Sequence, residues 1–261
     1  DNLTVNNSFA LSVNPGNELT VTTDLTNNGS IILNADATGY AQLKVDGSVS
    51  GSGNVTAEQY VAHSGWHNMS MPVSGNLSEF GTVNTAVHAN ARNVYTWNES
   101  TNSWNDVAGA TDGSATSAVA STGYMVFVGT NGVAAAGSTI DVTGSMTTSA
   151  TPSLSKSDFA SGADDNWNLL GNPFTCNLDF FTLSRSDVSA GYHIWNQNTE
   201  MYESVSGFSP GSEGIPPLQG FWVEATAANP SVGTMTMATH GSVALSQAYT
   251  KTSSIVADRL F

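Results

Sequence analysis

Residues 166–173 read NWNLLGNP and residues 65–72 read GWHNMSMP, so that both stretches have a tryptophan second and a proline last. Trp66 and Trp167 are 101 positions apart, and the two prolines have the same separation. Two later landmarks recur in the same order at separations of 98 and 97 residues: VYTWN at 94–98 with YHIWN at 192–196, and TGYMV at 122–126 with QGFWV at 219–223. Matches in one order at nearly constant separation predict two copies of one structural unit.

We place the two copies at residues 59–155 and 156–247. In each copy a proline, which cannot donate a ladder hydrogen bond, closes the first strand. The second landmark is one half of an aromatic hairpin, in which Tyr95 and Trp97 share a face and Trp104 lies on the return strand. Because no stretch keeps a helical period over several turns, the sequence predicts two antiparallel, jelly-roll-like β-sandwich units.

A different pattern fills residues 1–58. The motifs LTV, LSV and LTV occur at 3–5, 11–13 and 19–21, at a spacing of eight residues. Leucine and valine in each motif are two positions apart, so both point to the same side of a strand. Turn-forming Asn, Pro and Gly residues separate the motifs. This pattern predicts a short β-solenoid or β-helix-like segment, with a plain antiparallel meander as the alternative.

The composition agrees with an all-β fold and narrows the range of partners. Charged residues make up only 10% of the chain, hydrophobic residues 39%, and the net charge is -15. A chain so poor in Lys and Arg is unsuited to neutralising phosphates, so nucleic acids are excluded as partners and anionic membrane surfaces are disfavoured. No apolar run approaches the roughly 20 residues that span a bilayer, and membrane insertion is not expected. The single cysteine, Cys176, is predicted to be a small buried hydrophobic residue.

The sequence contains none of the catalytic motifs that would predict an enzyme. A nucleophile elbow, a phosphate loop and a helical zinc-protease motif are all missing from the sequence. We therefore expect no enzymatic activity. Asp164 and Asp165, in the loop SGADDN, are candidate Ca2+ ligands, but they lack the alternating acid spacing of known calcium loops and are alternatively solvated loop residues. No other cofactor is expected.

The aromatic residues are the other candidates for a binding site. Trp222 shares a strand face with Glu224, and the repeat places Met125 at its equivalent position. Trp222 therefore serves something that only the second unit does, either stacking on a sugar ring or being covered by the neighbouring unit. The turn residues Asn98 and Asn196 complete this candidate ligand site.

Trp195, by contrast, has an equivalent in Trp97, and a residue required in both units is predicted to build the fold. We expect Trp195→Ala to destabilise the protein more than Trp222→Ala if Trp222 is exposed.

The stretches NWNLLGNP, YHIWN and LQGFWV resemble modules of large secreted proteins of bacteria that use type IX secretion, where the modules stand just before a C-terminal sorting domain. The LTV-rich first segment is similar to the β-helical stretches that precede such modules. Residues 248–261, ending in ADRLF, resemble the lead-in to the sorting domain, which this sequence lacks. The resemblance implies a secreted or outer-surface location and implies no catalytic residue.

Two functions follow as hypotheses. The first is a non-catalytic extracellular surface module, adhesin-like or structural. The alternative is a carbohydrate-binding module attached to a polysaccharide-degrading enzyme. The partners left open are an extracellular polysaccharide, a neighbouring surface protein and a second copy of the chain.

Overall fold

The fold of this chain is all-β. The computed structural model describes residues 1–83, 86–87, 92–107, 116–157, 166–196, 199–207, 214–239 and 257–258. Helical structure in these ranges is limited to short 3-10 turns, of which the longest is Leu77–Phe80. The predicted fold class is thereby confirmed. Among the same residues, no helix has the length and apolar character that crossing a membrane requires.

The N-terminal strands form three stacked coils, which we call the N-terminal stack. Parallel ladders join them: β1 pairs with β4 and β4 with β9, β2 with β5 and β5 with β10, and β3 with β8. Because a meander would pair its strands antiparallel, that alternative is excluded. The bounds are β1 (Leu3–Val5), β2 (Ala10–Val13) and β3 (Glu18–Val21) in coil 1; β4 (Leu25–Asn27), β5 (Ser30–Leu33), the hairpin β6 (Ala35–Asp36) and β7 (Gly39–Tyr40), and β8 (Gln42–Val45) in coil 2; and β9 (Val49–Ser50) and β10 (Asn54–Val61) in coil 3.

The first repeated unit is a two-layered arrangement of antiparallel strands. One layer is a four-stranded sheet in the order β11-β15-β13-β14, and the other contains β12, β16 and β10. Val126 on β15 and Val142 on β16, both fully buried, belong to the core between the layers. The bounds are β11 (Gly65–Met69), β12 (Val73–Ser74), β13 (Val94–Asn98), β14 (Ser103–Asp106), β15 (Tyr124–Val128) and β16 (Ser138–Met146).

The N-terminal stack and the first unit share a sheet. Strand β10 pairs in parallel with β5 on one side and antiparallel with β16 on the other. The resulting sheet has the order β12-β16-β10-β5-β2. The boundary that we placed between residues 58 and 59 therefore lies inside a strand, because a single long strand completes the stack and begins the first unit.

The second unit repeats the topology of the first. Its main sheet has the order β18-β22-β20-β21, which is the order β11-β15-β13-β14 with equivalent strands substituted. Trp97 pairs with Trp104 across one hairpin, and Trp195 pairs with Tyr202 across the other. The bounds are β17 (Ser149–Ala150), β18 (Trp167–Gly171), β19 (Arg185–Ser186), β20 (Tyr192–Asn196), β21 (Met201–Val205), β22 (Gly220–Glu224), β23 (Ser231–Val232), β24 (Met235–Thr236) and β25 (Ala257–Asp258), the last of which extends this sheet beside β21.

The duplication extends to details that the sequence does not display. Phe80 packs edge-on against Tyr124 with ring centroids 5.9 Å apart, and Phe180 packs edge-on against Phe221 at 6.1 Å. Backbone conformations repeat as well, since two pairs of equivalent non-glycine residues adopt positive φ: Ser121 with Leu218, and Asn102 with Glu200. The predicted duplication is therefore correct, and the two units share these turn conformations as well as their strand order.

The N-terminal stack also docks on the second unit. The backbone N–H of Leu43 donates to the carbonyl oxygen of Thr175 at 2.9 Å, and the Thr175 hydroxyl donates back to Leu43 at 2.8 Å. The N–H of Asn177 donates to the side-chain oxygen of Gln42 at 2.6 Å. Because these groups are buried and paired, the contact contributes to stability and fixes the orientation of the stack. One hydrophobic core runs through the stack and both units.

Cys176 lies in this junction, and its burial predicts that the free energy of unfolding depends on pH. Burial raises the pKa of the Cys176 thiol to about 12, whereas an unfolded thiol titrates at about 8.5. As the pH rises above about 8.5, the unfolded chain loses this proton first, so the free energy of unfolding falls, by about 2 kcal/mol up to about pH 10. Between about pH 8 and about pH 10, we expect urea unfolding to show a loss that is about 2 kcal/mol larger in the wild type than in Cys176→Ala. Buried tyrosines contribute equally to both proteins, and equal losses in both would contradict the prediction.

Candidate functional site

The two units meet across an interface that repeats itself under an approximate two-fold relation. Met69 of the first unit forms a β-bridge with Gln219 of the second, and Leu170 of the second unit forms the equivalent bridge with Thr122 of the first. The hydrogen bonds follow the same rule: Ser70 donates its N–H to Leu218, and Gly171 donates its N–H to Ser121, each at 2.9 Å. The interface is thus isologous, like that of a symmetric dimer, but within one chain.

Two glycines in the repeated landmarks lie at this interface. A Cβ atom on Gly123 would come within 2.5 Å of the carbonyl oxygen of Leu170 and 2.6 Å of the Leu169 side chain. A Cβ atom on the equivalent Gly220 would come within 3.0 Å of the backbone of Asn68 and Met69. Each unit therefore needs glycine here because the other unit's backbone approaches closely, a reason that the repeat pattern alone did not reveal.

An aromatic cluster fills the interface beside these glycines, and Trp222 is at its centre. The Trp222 ring lies 5.5 Å from Trp97 and 5.7 Å from Trp104 of the first unit, and 6.1 Å from Tyr202 of its own unit. All three contacts are edge-to-face, the favoured arrangement for aromatic pairs. The indole N–H of Trp97 also donates to the carbonyl oxygen of Trp167 at 2.7 Å, which links the same two sheets.

Trp222 has 0% of its surface exposed, so the expectation of an exposed ring that stacks on a sugar is wrong. Of the two alternatives we considered, the covering by the neighbouring unit is the one observed. The burial of the repeated tryptophans is also uneven, since Trp167 is buried and Trp66, Trp97 and Trp195 are only partly buried. Trp222 is buried because Trp97 and Trp104, on the hairpin of the first unit, pack over it.

Tyr202 adds a polar contact to the cluster. Burial raises the pKa of Tyr202 to about 12, while hydrogen bonding to the side chains of Asn68 and Trp222 acts in the opposite direction. Asn68 belongs to the first unit and Tyr202 to the second, so this contact also crosses the interface. The hydroxyl stays protonated at neutral pH.

The other predicted ligand residues do not gather around Trp222. Glu224 lies partly exposed at the end of β22, paired with Trp167. Asn98 is partly buried at the end of β13, and Asn196 occupies the equivalent position on β20. The Asn196 side chain donates to the Glu203 carboxylate and accepts from the N–H of Thr199, so it holds the hairpin turn together. These positions are better explained as parts of the two hairpins than as one ligand site.

The candidate calcium ligands Asp164 and Asp165 lie outside the described residues. In the part of the chain that the structure describes, no group of three or more His, Cys, Asp or Glu side chains is arranged to hold a metal ion.

An aromatic patch that we did not predict from the sequence lies on the first unit's sheet, on the same face as Trp97. Trp66 is 5.1 Å from Phe127 and 5.7 Å from Tyr95, and all three rings are partly buried. The pairing of Tyr95 with Asp106 puts an exposed carboxylate on this face as well. The available signal was the strand alternation, which separates Phe127 from the buried Val126. Partly exposed rings beside a carboxylate form a surface on which a sugar can stack and donate hydrogen bonds.

Comparison with known proteins gives one match. No curated protein sequence and no solved structure shows significant similarity to the chain. Residues 1–250 match the model of the family described as a domain of unknown function, DUF8693, and the chain therefore belongs to that family.

Proposed function

We propose that the chain is a rigid, non-catalytic structural module, adhesin-like in class, of a secreted or cell-surface protein. The observation that supports this proposal is the fusion of three parts into one body by buried contacts. The first unit shares β10 with the N-terminal stack, the stack docks on Thr175 of the second unit, and the Trp222 cluster joins the two units. A body tied together at three junctions transmits force and holds its ends at a set distance, which a spacer on a surface must do.

The surface location rests on composition and resemblance. A net charge of -15 with few charged residues suits a soluble extracellular protein, and the NWNLLGNP and LQGFWV stretches resemble modules of type IX secretion substrates. Antibodies raised against the purified chain should label intact cells of the source organism or its culture medium. Labelling that requires cell lysis would contradict the location.

The rigid-body proposal is tested by cooperative unfolding. Hydrogen exchange along a urea series should give one midpoint for peptides from the stack, the first unit and the second unit, because a shared core unfolds as one. Thr175→Val, which removes the hydroxyl bond to Leu43, should lower all three midpoints together. A stack that unfolds at its own lower midpoint would show that the parts are independent and would refute the proposal.

A second candidate function, carbohydrate binding, is favoured by one observation, the patch of Trp66, Tyr95 and Phe127 beside Asp106. A glycan array probed with the wild type tests it directly. Binding that is lost in Trp66→Ala and weakened in Asp106→Asn would support this function. Because Asp106 is exposed, Asp106→Asn should fold normally, so weaker binding by this variant cannot be attributed to misfolding. No binding to any plant, algal or host glycan would remove the candidate.

A further inference from the structure

Coil 1 forms an open end of the N-terminal stack. Each of its strands, β1, β2 and β3, has a partner on one side only among the residues that the structure describes. Hydrogen bonds to coil 2 use alternate residues, for example the N–H of Leu3 to Asp24 and the carbonyls of Val13 and Val21. The intervening residues Thr4, Ser12 and Thr20 therefore turn their backbone N–H and C=O groups away from coil 2.

The hydrophobic interior of the stack is also incompletely covered at this end, where the valines of the three motifs are buried but the leucines are not. Leu3, Leu11 and Leu19 point inward but are only partly buried. Their register partners in coil 2 are each 0% exposed: Leu25, Ile31 and Leu43. The equivalent residues of coil 2 are buried because coil 2 has a neighbouring coil on each side. The leucines of coil 1 have a neighbouring coil on one side only, among the described residues.

The opposite end of the stack is closed in two places. Strand β10 of coil 3 continues its sheet into β16, and β8 of coil 2 bonds to Thr175 of the second unit. Solenoids require a polar cap at an end that faces solvent. The closed end has its cover from the two units, while the residues described at the other end supply none.

Coil 1 lacks two of the usual protections of an edge strand, although its strands are short and β3 begins with Glu18. Such edges are normally shielded by Lys, by Pro within the strand or by a bulge. Residues 1–24 contain no Lys or Arg, and the one proline, Pro15, lies in the turn between β2 and β3. Phe9, directly before β2, is 69% exposed. A partly covered apolar end whose strand edges have no partner among the described residues is typical of an interaction surface.

We propose that this end of the stack docks a further three-stranded coil, stacked in parallel and bearing the same Leu-x-Val pattern. Its strands extend the three ladders, with aliphatic residues above Leu3, Leu11 and Leu19 and backbone bonds to Thr4, Ser12 and Thr20. Between coils 1 and 2 the register step is 22 residues in the first ladder, where Leu3 pairs with Leu25, and it is 20 residues in the second (Leu11 with Ile31) and 24 in the third (Leu19 with Leu43). The contact repeats the one that already joins coils 1 and 2.

The test adds such a coil to the full chain. A tandem variant carries a second copy of residues 3–24 directly ahead of Leu3, so that the 22-residue step of the first ladder is kept. Hydrogen exchange at the amides of the original Thr4, Ser12 and Thr20 should slow more than about tenfold, and the melting temperature should rise. The control variant has the same insertion with the six aliphatic residues of its three motifs changed to serine, and it should show neither effect.

Two outcomes overturn the proposal. The first is equal exchange at these amides in the tandem and control variants, which means that the end does not accept a parallel coil. The second is a concentration-dependent protection of the same amides in the wild type, together with a dimer mass by light scattering. In that case the occupant is a second copy of the chain.

Discussion

Replacing Trp222 by alanine is expected to lower the free energy of unfolding by about 3–5 kcal/mol, the range for removing a large buried aromatic side chain. Its ring is fully buried and contacts Trp97 and Trp104 across the unit interface. The backbones of the two units are fixed by their own strand ladders and by the bridges between the units, so we expect the cavity left behind to collapse little. Chemical denaturation followed by circular dichroism measures the loss.

The repeat supplies matched controls for this experiment. Met125 is the equivalent residue of the first unit and is only partly buried, as is Trp195. Met125→Ala and Trp195→Ala should each cost about 1–2 kcal/mol, because less packing is lost. The sequence alone led us to the opposite order for Trp222 and Trp195. A Trp222→Ala variant as stable as the wild type, beside an unfolded Trp195→Ala, would restore that order.

Replacing Gly123 by alanine is expected to cost about 3 kcal/mol, at the top of the range for overpacking a core. The added Cβ would meet the carbonyl oxygen of Leu170 at 2.5 Å, and backbone cannot move aside without breaking the bridges of the interface. Gly220→Ala should cost less, because its closest approach is 3.0 Å. Thermal and urea unfolding of both variants give the comparison.

Gly75→Ala is the control for the intrinsic effect of losing a glycine. Its nearest neighbour would be the Glu79 side chain at 3.3 Å rather than a backbone atom. This variant should unfold within about 0.5 kcal/mol of the wild type. If Gly123→Ala were equally benign, the close approach of the two units would not contribute to stability as inferred.

The two units differ at the residue that occupies the centre of the aromatic cluster. In an isologous contact each unit offers an equivalent surface to the other. The chain has Trp222 on one side and the thinner Met125 on the other. Duplication within one chain permits this asymmetry, which a dimer of identical subunits could not adopt.

Much of the fold was predictable from local patterns. Strand alternation and the hairpin turns place Trp97 opposite Trp104 and Trp195 opposite Tyr202, because side-chain direction in a strand depends only on position along it. The duplication was also predictable, because the landmarks recur in the same order at nearly constant separation. The LTV, LSV and LTV motifs likewise identified the inward-facing residues of coil 1.

What only the tertiary structure decided is which of these faces are covered. Alternation puts Trp222 and Glu224 on one face, but the burial of Trp222 depends on Trp104 arriving from more than a hundred residues away. The same holds for the sharing of β10 between the stack and the first unit, since one strand edge pairs with β5 and the other with β16. Local sequence determines where a side chain points, whereas contacts between distant segments determine what it meets.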